Sequence, residues 1–262
     1  MSDPFKITEP TVVSFSGGRS SAYMLWRVLQ SNNGLPEEAK AIFCNTGKEV
    51  EETLKFVKDC ETNWKVKIDW VEYRSESPGY AFVDFETASR KGEPFEQLIL
   101  KKQYLPNTFA RFCTQELKIN LIKKVFPYQD FVTFIGIRFD EPRRVAKMKN
   151  NKDLKETPLA TAKVGKKEIS EFWKQQSFDL NLVTINGNAL LGNCDLCFMK
   201  KASHKINLVK DNPIRAVWWA DMEKAIGNKF RPEHPSYAEM HKFSQNQIDM
   251  FVDESIACFC GD

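Results

Sequence analysis

A chain of 262 residues and 30.3 kDa has room for one large domain, or one domain with an appendage. With 42% hydrophobic and 28% charged residues it is neither disordered nor collagen-like, and no apolar run reaches the roughly 18 residues that a membrane span needs. The opening MSDPFKITEP lacks the apolar stretch of a secretory signal, so the expected location is cytoplasmic, with no membrane partner. The formal net charge of +3 identifies no partner by itself. Its distribution says more: residues 138–167 hold ten basic and four acidic side chains, which leaves −3 for the rest. That stretch reads either as a solvated loop or as a patch for phosphate groups of a nucleotide or nucleic acid.

In chain order, Thr11-Val12-Val13-Ser14-Phe15 is a β-rich run that meets Ser16-Gly17-Gly18 at once. Ala22, Leu25, Val28 and Leu29 then recur at helical spacing. A second strand is expected at 40–44, a helix through Val50, Leu54 and Val57, and a third strand at 67–73. The stretch 74–112, with Pro78, Gly79, Gly92, Pro94 and Pro106, reads as an excursion with short helices. Leu117, Leu121, Ile122 and Val125 mark another helix, and 131–137 a fourth strand. Such alternation predicts an α/β fold, a doubly wound and mostly parallel sheet covered on both faces, whose ligands bind beyond the carboxyl ends of the strands. The expected division is an α/β core over 1–165 and a C-terminal extension over 166–262 that packs back on it. One helical piece, 167–176, is legible in the extension; the tail carries Trp218 and Trp219 but no alternation.

The loop 14–21 sits where a strand hands over to a helix. Glycines there let the backbone approach an anion, the first N–H groups of the helix are unsatisfied donors, and serine hydroxyls add to them. The G-x-x-x-x-G-K-[ST] pattern is absent, so this is not a Walker A loop. A plain tight turn with a helix cap is the alternative.

Four further stretches accompany the loop in a specific order: Phe43-Cys44-Asn45-Thr46-Gly47 with Glu51-Glu52-Thr53; Arg111-Phe112-Cys113-Thr114 with Leu117-Lys118; Gly136-Ile137-Arg138-Phe139-Asp140-Glu141-Pro142-Arg143-Arg144; and Ile169-Ser170-Glu171-Phe172-Trp173 leading to Gly192-Asn193-Cys194-Asp195-Leu196-Cys197. Together, over about residues 11–200, they resemble the phosphoadenylyl-sulfate (PAPS) reductase family of the adenine nucleotide α-hydrolase superfamily. The resemblance implies that Ser14, Ser16, Gly17, Gly18, Arg19, Ser20 and Ser21 hold nucleotide phosphates and that Asn45, Thr46 and Gly47 lie beside the adenosine. It implies a place for Gly136 at the same site, and for Arg138 and Arg144 on phosphate or sulfate, where Arg forks suit the oxyanion. A salt bridge to Asp140 or Glu141 is the competing role for Arg138. The chain departs from the S-G-G-x-D-S loop of the superfamily's ATP pyrophosphatases by Ser20 at the acidic position, which puts ATP cleavage and the handling of Mg²⁺ in question.

Seven cysteines in a chain read as cytoplasmic argue against a disulfide framework. Cys44 and Cys60 read as core residues. By the resemblance, Cys113, Cys194 and Cys197 fall on three ligand positions of a [4Fe–4S] cluster, Phe112 replaces the fourth, and Cys260 or Cys258 completes the set or one iron stays open. Zinc held by the C-x-x-C and C-x-C pairs is a second reading; free thiols are the third, with Cys113 and Cys260 as catalytic thiols beside Arg138. The expected activity is PAPS-reductase-like: ATP or PAPS used in sulfur transfer or sulfonucleotide reduction. A sulfur donor or thioredoxin-type reductant, a nucleic-acid acceptor and a second copy of the chain are the candidate partners. A non-catalytic nucleotide- or nucleic-acid-binding module stapled by zinc is the alternative.

Overall fold

The computed structural model describes residues 3–149, 155–185 and 188–246. Its centre is β1 (Thr11–Phe15), followed by α1 (Arg19–Asn32), β2 (Ala39–Asn45), α2 (Glu51–Trp64) and β3 (Ile68–Tyr73). The chain then crosses β1 to reach β5 (Val132–Ile135) on its other side. With the edge strands β4 (Tyr80–Val83) and β6 (Lys155–Glu156), the sheet order is β4-β3-β2-β1-β5-β6, and only β4 runs antiparallel to its neighbour. Central parallel strands are apolar on both faces: Val13, Phe15 and Phe43 face one core, while Val12, Ile42 and Val71 face the other.

The first core lies under α1 and α2. It is closed by the short α7 (Pro158–Thr161), through Leu159, and by α8 (Lys166–Lys174), whose Trp173 packs edge-on or tilted against Phe56, Trp64 and Phe178. The helix expected at 167–176 therefore exists and belongs to the layer that holds α1 and α2. The second core collects α3 (Glu93–Lys102), the segment around Leu117, Leu121 and Ile122, and three C-terminal helices: α9 (Ala202–Asp211), α10 (Arg215–Ile226) and α11 (Tyr237–Asn246).

Two expectations change. The excursion at 74–112 contains the edge strand β4 as well as a helix. The tail is helical rather than irregular. Its helices escaped pattern reading because buried positions carry His204, Lys205 and Glu223 while Val217 and Ile214 stand exposed. Trp219 is fully buried, and Trp218 packs at the edge of the same core.

Candidate functional site

β1 and β5 are the neighbours from which the chain departs in opposite directions, and the crevice at their carboxyl ends is where such sheets take ligands. The loop after β1 is shaped for it. Gly17 has φ +77°, and a Cβ there would stand 2.6 Å from Thr53 Cγ2 and 3.3 Å from Phe43 Cε2. Only glycine fits both the left-handed backbone and the space. Gly18 is the N-cap of α1, extended, with no side-chain cap and no acidic residue in the first turn. The first N–H groups of a 14-residue helix are thus left for an outside acceptor, at the positive end of the dipole.

Ser21 builds this loop from within. Its Oγ accepts the Ser16 N–H (3.1 Å), lies 2.9 Å from Ser16 Oγ and donates to the Gly18 carbonyl (2.9 Å). From the β5 side, Gly136 packs on α1: a Cβ there would be 2.9 Å from Ser21 Cα. Arg138 is buried and joins the two loops, with Nη1 donating to Ser20 Oγ (3.1 Å) and Nε to Asp140 Oδ1 (2.9 Å), and with Nη2 3.7 Å from Glu141 Oε2. Of the two roles considered for Arg138, the salt bridge to Asp140 and Glu141 is present, and the residue stands just beyond the end of β5. Arg144, on α6 (Pro142–Lys149), pairs with Glu141. Arg19 turns its guanidinium away to Asp179, leaving its backbone N–H to the loop, while its carbonyl accepts Trp173 Nε1–H (3.1 Å). Ser14 stands within β1, half-buried.

At the end of β2 the polar side chains look inward. Asn45 donates to Glu72 Oε1 (2.6 Å) and the Ser89 carbonyl (2.8 Å), and its Oδ1 accepts the Gly47 N–H (3.1 Å). Thr46 gives its N–H and hydroxyl to Glu49 Oε2 (2.9 and 2.8 Å). Gly47, at φ +77°, packs on Gly92 and Pro94. This loop is welded to the first cysteine pair: Glu49 bridges Cys194, Asp195 donates its N–H to the Lys48 carbonyl (2.8 Å), and Lys48 Nζ lies 3.2 Å from Asp195 Oδ2. Trp219 Nε1–H fixes Asp195 Oδ1 (2.9 Å), and Lys200 Nζ donates to the carbonyls of Gly192 and Cys194 (3.0 Å each).

Cys113 starts a helical stretch made of α4 (Phe112–Thr114), a π-helical turn (Gln115–Ile119) and α5 (Asn120–Val125). π-turns often mark functional positions because they re-aim side chains. This one carries Lys118, whose carbonyl accepts the Cys44 thiol (3.8 Å). Burial penalises the Lys118 ammonium, but Glu49 and the sulfurs of Cys194, Cys44 and Cys113 outweigh it and raise its pKa. Burial in turn raises Cys113, with Arg111 and Lys118 pulling the other way, and lifts Cys194 well above the ordinary thiol range, with Glu49 and Cys197 adding to it. Cys194 Sγ stands 3.6 Å from Thr46 Oγ1. Cys44 and Cys60 are buried core thiols, as expected. Lys118, Glu49 and Glu72 escaped the sequence reading as site residues; the signal for Lys118 was its position within the segment headed by Arg111.

Cys113, Cys194 and Cys197 thus share one neighbourhood. Among the described residues, however, no three Cys, His, Asp or Glu side chains converge on a point that would hold a metal ion. A cubane or a zinc ion at this place would need ligands beyond these three thiols. Cys258 and Cys260, which were to complete either site, lie outside the described residues. No described helix is long and apolar enough to cross a membrane.

A mostly parallel sheet with a glycine–serine loop and an uncapped helix start at its switch point defines a nucleotide-utilising α/β protein. The chain belongs to the phosphoadenosine phosphosulfate reductase domain family: residues 10–165 match it, which places the chain in the adenine nucleotide α-hydrolase superfamily. It is 32% identical over 209 residues to the uncharacterised nin region protein ORF290 of Escherichia phage lambda, covering 75% of this chain and 68% of that protein. It is also 32% identical over 136 residues to the uncharacterised protein MJ0066 of Methanocaldococcus jannaschii, covering 51% of this chain and 24% of that protein.

Proposed function

We propose that this protein is an enzyme that binds an adenine nucleotide at the 16–21 loop and uses it in sulfur chemistry carried by cysteine thiols, with PAPS as the nucleotide the site suits best. The carrying observation is the uncapped α1 N-terminus behind Gly17 and Gly18, at the switch point, with thiols at the adjacent strand end. Backbone N–H groups would take the phosphate oxygens; Ser16 and Ser20 line the loop; Arg138 braces it and adds positive charge. The Ser20–Arg138 contact favours PAPS over ATP. Where the ATP-cleaving relatives keep an acidic residue, this chain has a hydroxyl bonded to a guanidinium, a pairing that suits an anion better than a divalent cation.

In this reading the Cys113 thiolate attacks the terminal sulfur of PAPS. The sulfur–oxygen bond to the phosphate breaks, adenosine 3′,5′-bisphosphate leaves, and S-sulfocysteine remains. A second thiol, Cys194, Cys197 or Cys260, displaces sulfite and forms a disulfide, which a thioredoxin-type dithiol reduces. Lys118 and Arg111 hold positive charge near the developing thiolate.

Sulfite release from PAPS with a dithiol, beside pyrophosphate release from ATP, tests this. Sulfite release abolished by Cys113→Ala, with PAPS affinity intact, supports it. Pyrophosphate release alone transfers the assignment to ATP-dependent sulfur transfer. Binding of either nucleotide without turnover makes the chain a binding module.

A further inference from the structure

Two residues before Cys113 the chain presents a surface that nucleotide binding leaves unused. Residues 103–111 join α3 to α4 through an ordered turn. Asn107 Oδ1 accepts the N–H groups of Phe109 (2.9 Å) and Ala110 (2.8 Å), its own N–H donates to the Ala110 carbonyl (3.2 Å), and its Nδ2 donates to Tyr104 Oη (2.5 Å). The tip of this turn is Phe109, 99% exposed. Four hydrogen bonds order the turn, and the ring at its tip stands in water rather than against the core, so Phe109 is not a packing residue.

Its surroundings are cationic and aromatic. Tyr104 is exposed, with its ring 6.1 Å from that of Phe112, and Lys102 Nζ lies 5.5 Å from the Phe112 ring centroid. Residues 100–125 hold six basic side chains, Lys101, Lys102, Arg111, Lys118, Lys123 and Lys124, against one acidic, Glu116, which pairs with Lys102 at 3.1 Å. Lys118 turns inward to Glu49 and the cysteine sulfurs, so the other charged side chains of this stretch carry a net +4, against +3 for the whole chain. Lys101 and Lys124 meet over one turn: Lys101 Nζ donates to the Ser75 carbonyl (3.0 Å), and a Cβ on Gly79 would be 2.8 Å from Lys124 Nζ.

We infer that this face docks a single strand of nucleic acid, with an unstacked base on Phe109 and the phosphate backbone along Arg111 and the α3 and α5 lysines, beside Cys113. Rings interleaved with cations are the means by which proteins hold single strands: every base offers a π-face, and every phosphate a charge. A duplex has its bases stacked and paired, leaving nothing for a turn-tip ring. A protein partner would call for a continuous apolar patch; here the apolar surface is limited to a few rings set among exposed cations. This patch is distinct from the basic segment at 138–167. It does not rest on the proposed function, because the docking itself is measured without turnover; only in the ATP-dependent alternative would the strand serve as a sulfur acceptor.

The test is fluorescence anisotropy with a labelled 20-nucleotide mixed-sequence single-stranded RNA, the same sequence as a duplex, and heparin as competitor, in graded salt. The single strand is expected to bind more tightly than the duplex. Phe109→Ala should weaken single-strand binding by roughly five- to a hundredfold, with melting temperature and PAPS affinity unchanged because Phe109 touches neither core nor nucleotide loop. Arg111→Ala should lower the salt slope by about one. No single-strand binding, or binding that heparin and the duplex match and Phe109→Ala leaves untouched, overturns the inference. Unchanged PAPS affinity in a loop variant such as Ser16→Asp that still binds RNA counts against the proposed function alone.

Discussion

The ends of two adjacent strands, β1 and β2, treat polar groups in opposite ways. Beyond β1 the loop is made of glycine and serine, its hydroxyls serve one another, and the helix N–H groups are left open. Beyond β2 nearly every polar group is consumed inside the protein: Asn45 by Glu72 and Ser89, Thr46 by Glu49, Lys48 by Asp195, and the cysteine loop by Lys200. The first end is a receptor with its donors in reserve. The second is a rigid frame that fixes where the thiols stand. An anion site needs unsatisfied donors, whereas a reactive thiol in a buried setting needs charges held in place around it.

That contrast predicts a graded set of effects. The largest belongs to the frame. Lys200→Ala strips the Gly192 and Cys194 carbonyls of a buried donor and leaves a cavity, so urea unfolding should show a loss of about 3 kcal/mol or more. A loss below about 1 kcal/mol would mean that the cysteine loop is not held as described. Next comes Arg138→Ala, which removes the guanidinium from Ser20 and Asp140 while Glu141 keeps its pair with Arg144, and should cost about 1.5–2 kcal/mol. If thermal stability holds while PAPS affinity falls, Arg138 is a ligand rather than a brace.

A pH experiment sharpens the frame further. Lys205 is buried against Tyr237 and Glu223, and burial lowers its pKa to about 8. Its folded pKa lies below its unfolded value near 10.4. Between those values the unfolded chain binds more protons, so this group's contribution to stability rises as pH goes from about 8 to 10.4, and the charged form costs stability below 8. Lys205→Met should therefore be more stable than the wild type at pH 7, by about 2 kcal/mol, and the gap should close by pH 10. A gap that does not change with pH would reject the buried-charge account.

The smallest stability effect belongs to the receptor end. Ser16→Asp places a carboxylate among the open N–H groups, where it serves the helix dipole; stability should change by less than about 0.5 kcal/mol. The same carboxylate occupies the anion's place, so calorimetry should show at least a tenfold loss of PAPS affinity. Unchanged affinity would remove the phosphates from this loop. Gly17→Val is the poorer probe, because its side chain would strike Thr53 and Phe43 and disturb the fold itself.

The α/β core was legible because central parallel strands write their burial directly: Thr11–Phe15 and Ala39–Asn45 are apolar on both faces, and the helices between them repeat at helical spacing. The glycine loop was legible for a local reason, since left-handed backbone and close approach demand glycine wherever they occur. The tail was not. A buried Lys205, Glu223 or Asp195 is stable only when partners from distant segments reach it, such as Tyr237 or Trp219, and no periodicity records a partner about 14 to 32 residues away. The same holds for the arginines. The motif alone left Arg138 suspended between ligand and salt bridge, and Arg19 beside the phosphates; the fold joined the first to Ser20, Asp140 and Glu141 and the second to Asp179. By itself the sequence determined where a nucleotide loop begins, because that depends on residues next to one another. Which polar groups are consumed, and which remain open for a ligand, only tertiary structure decided, because a hydrogen bond is satisfied by proximity in space.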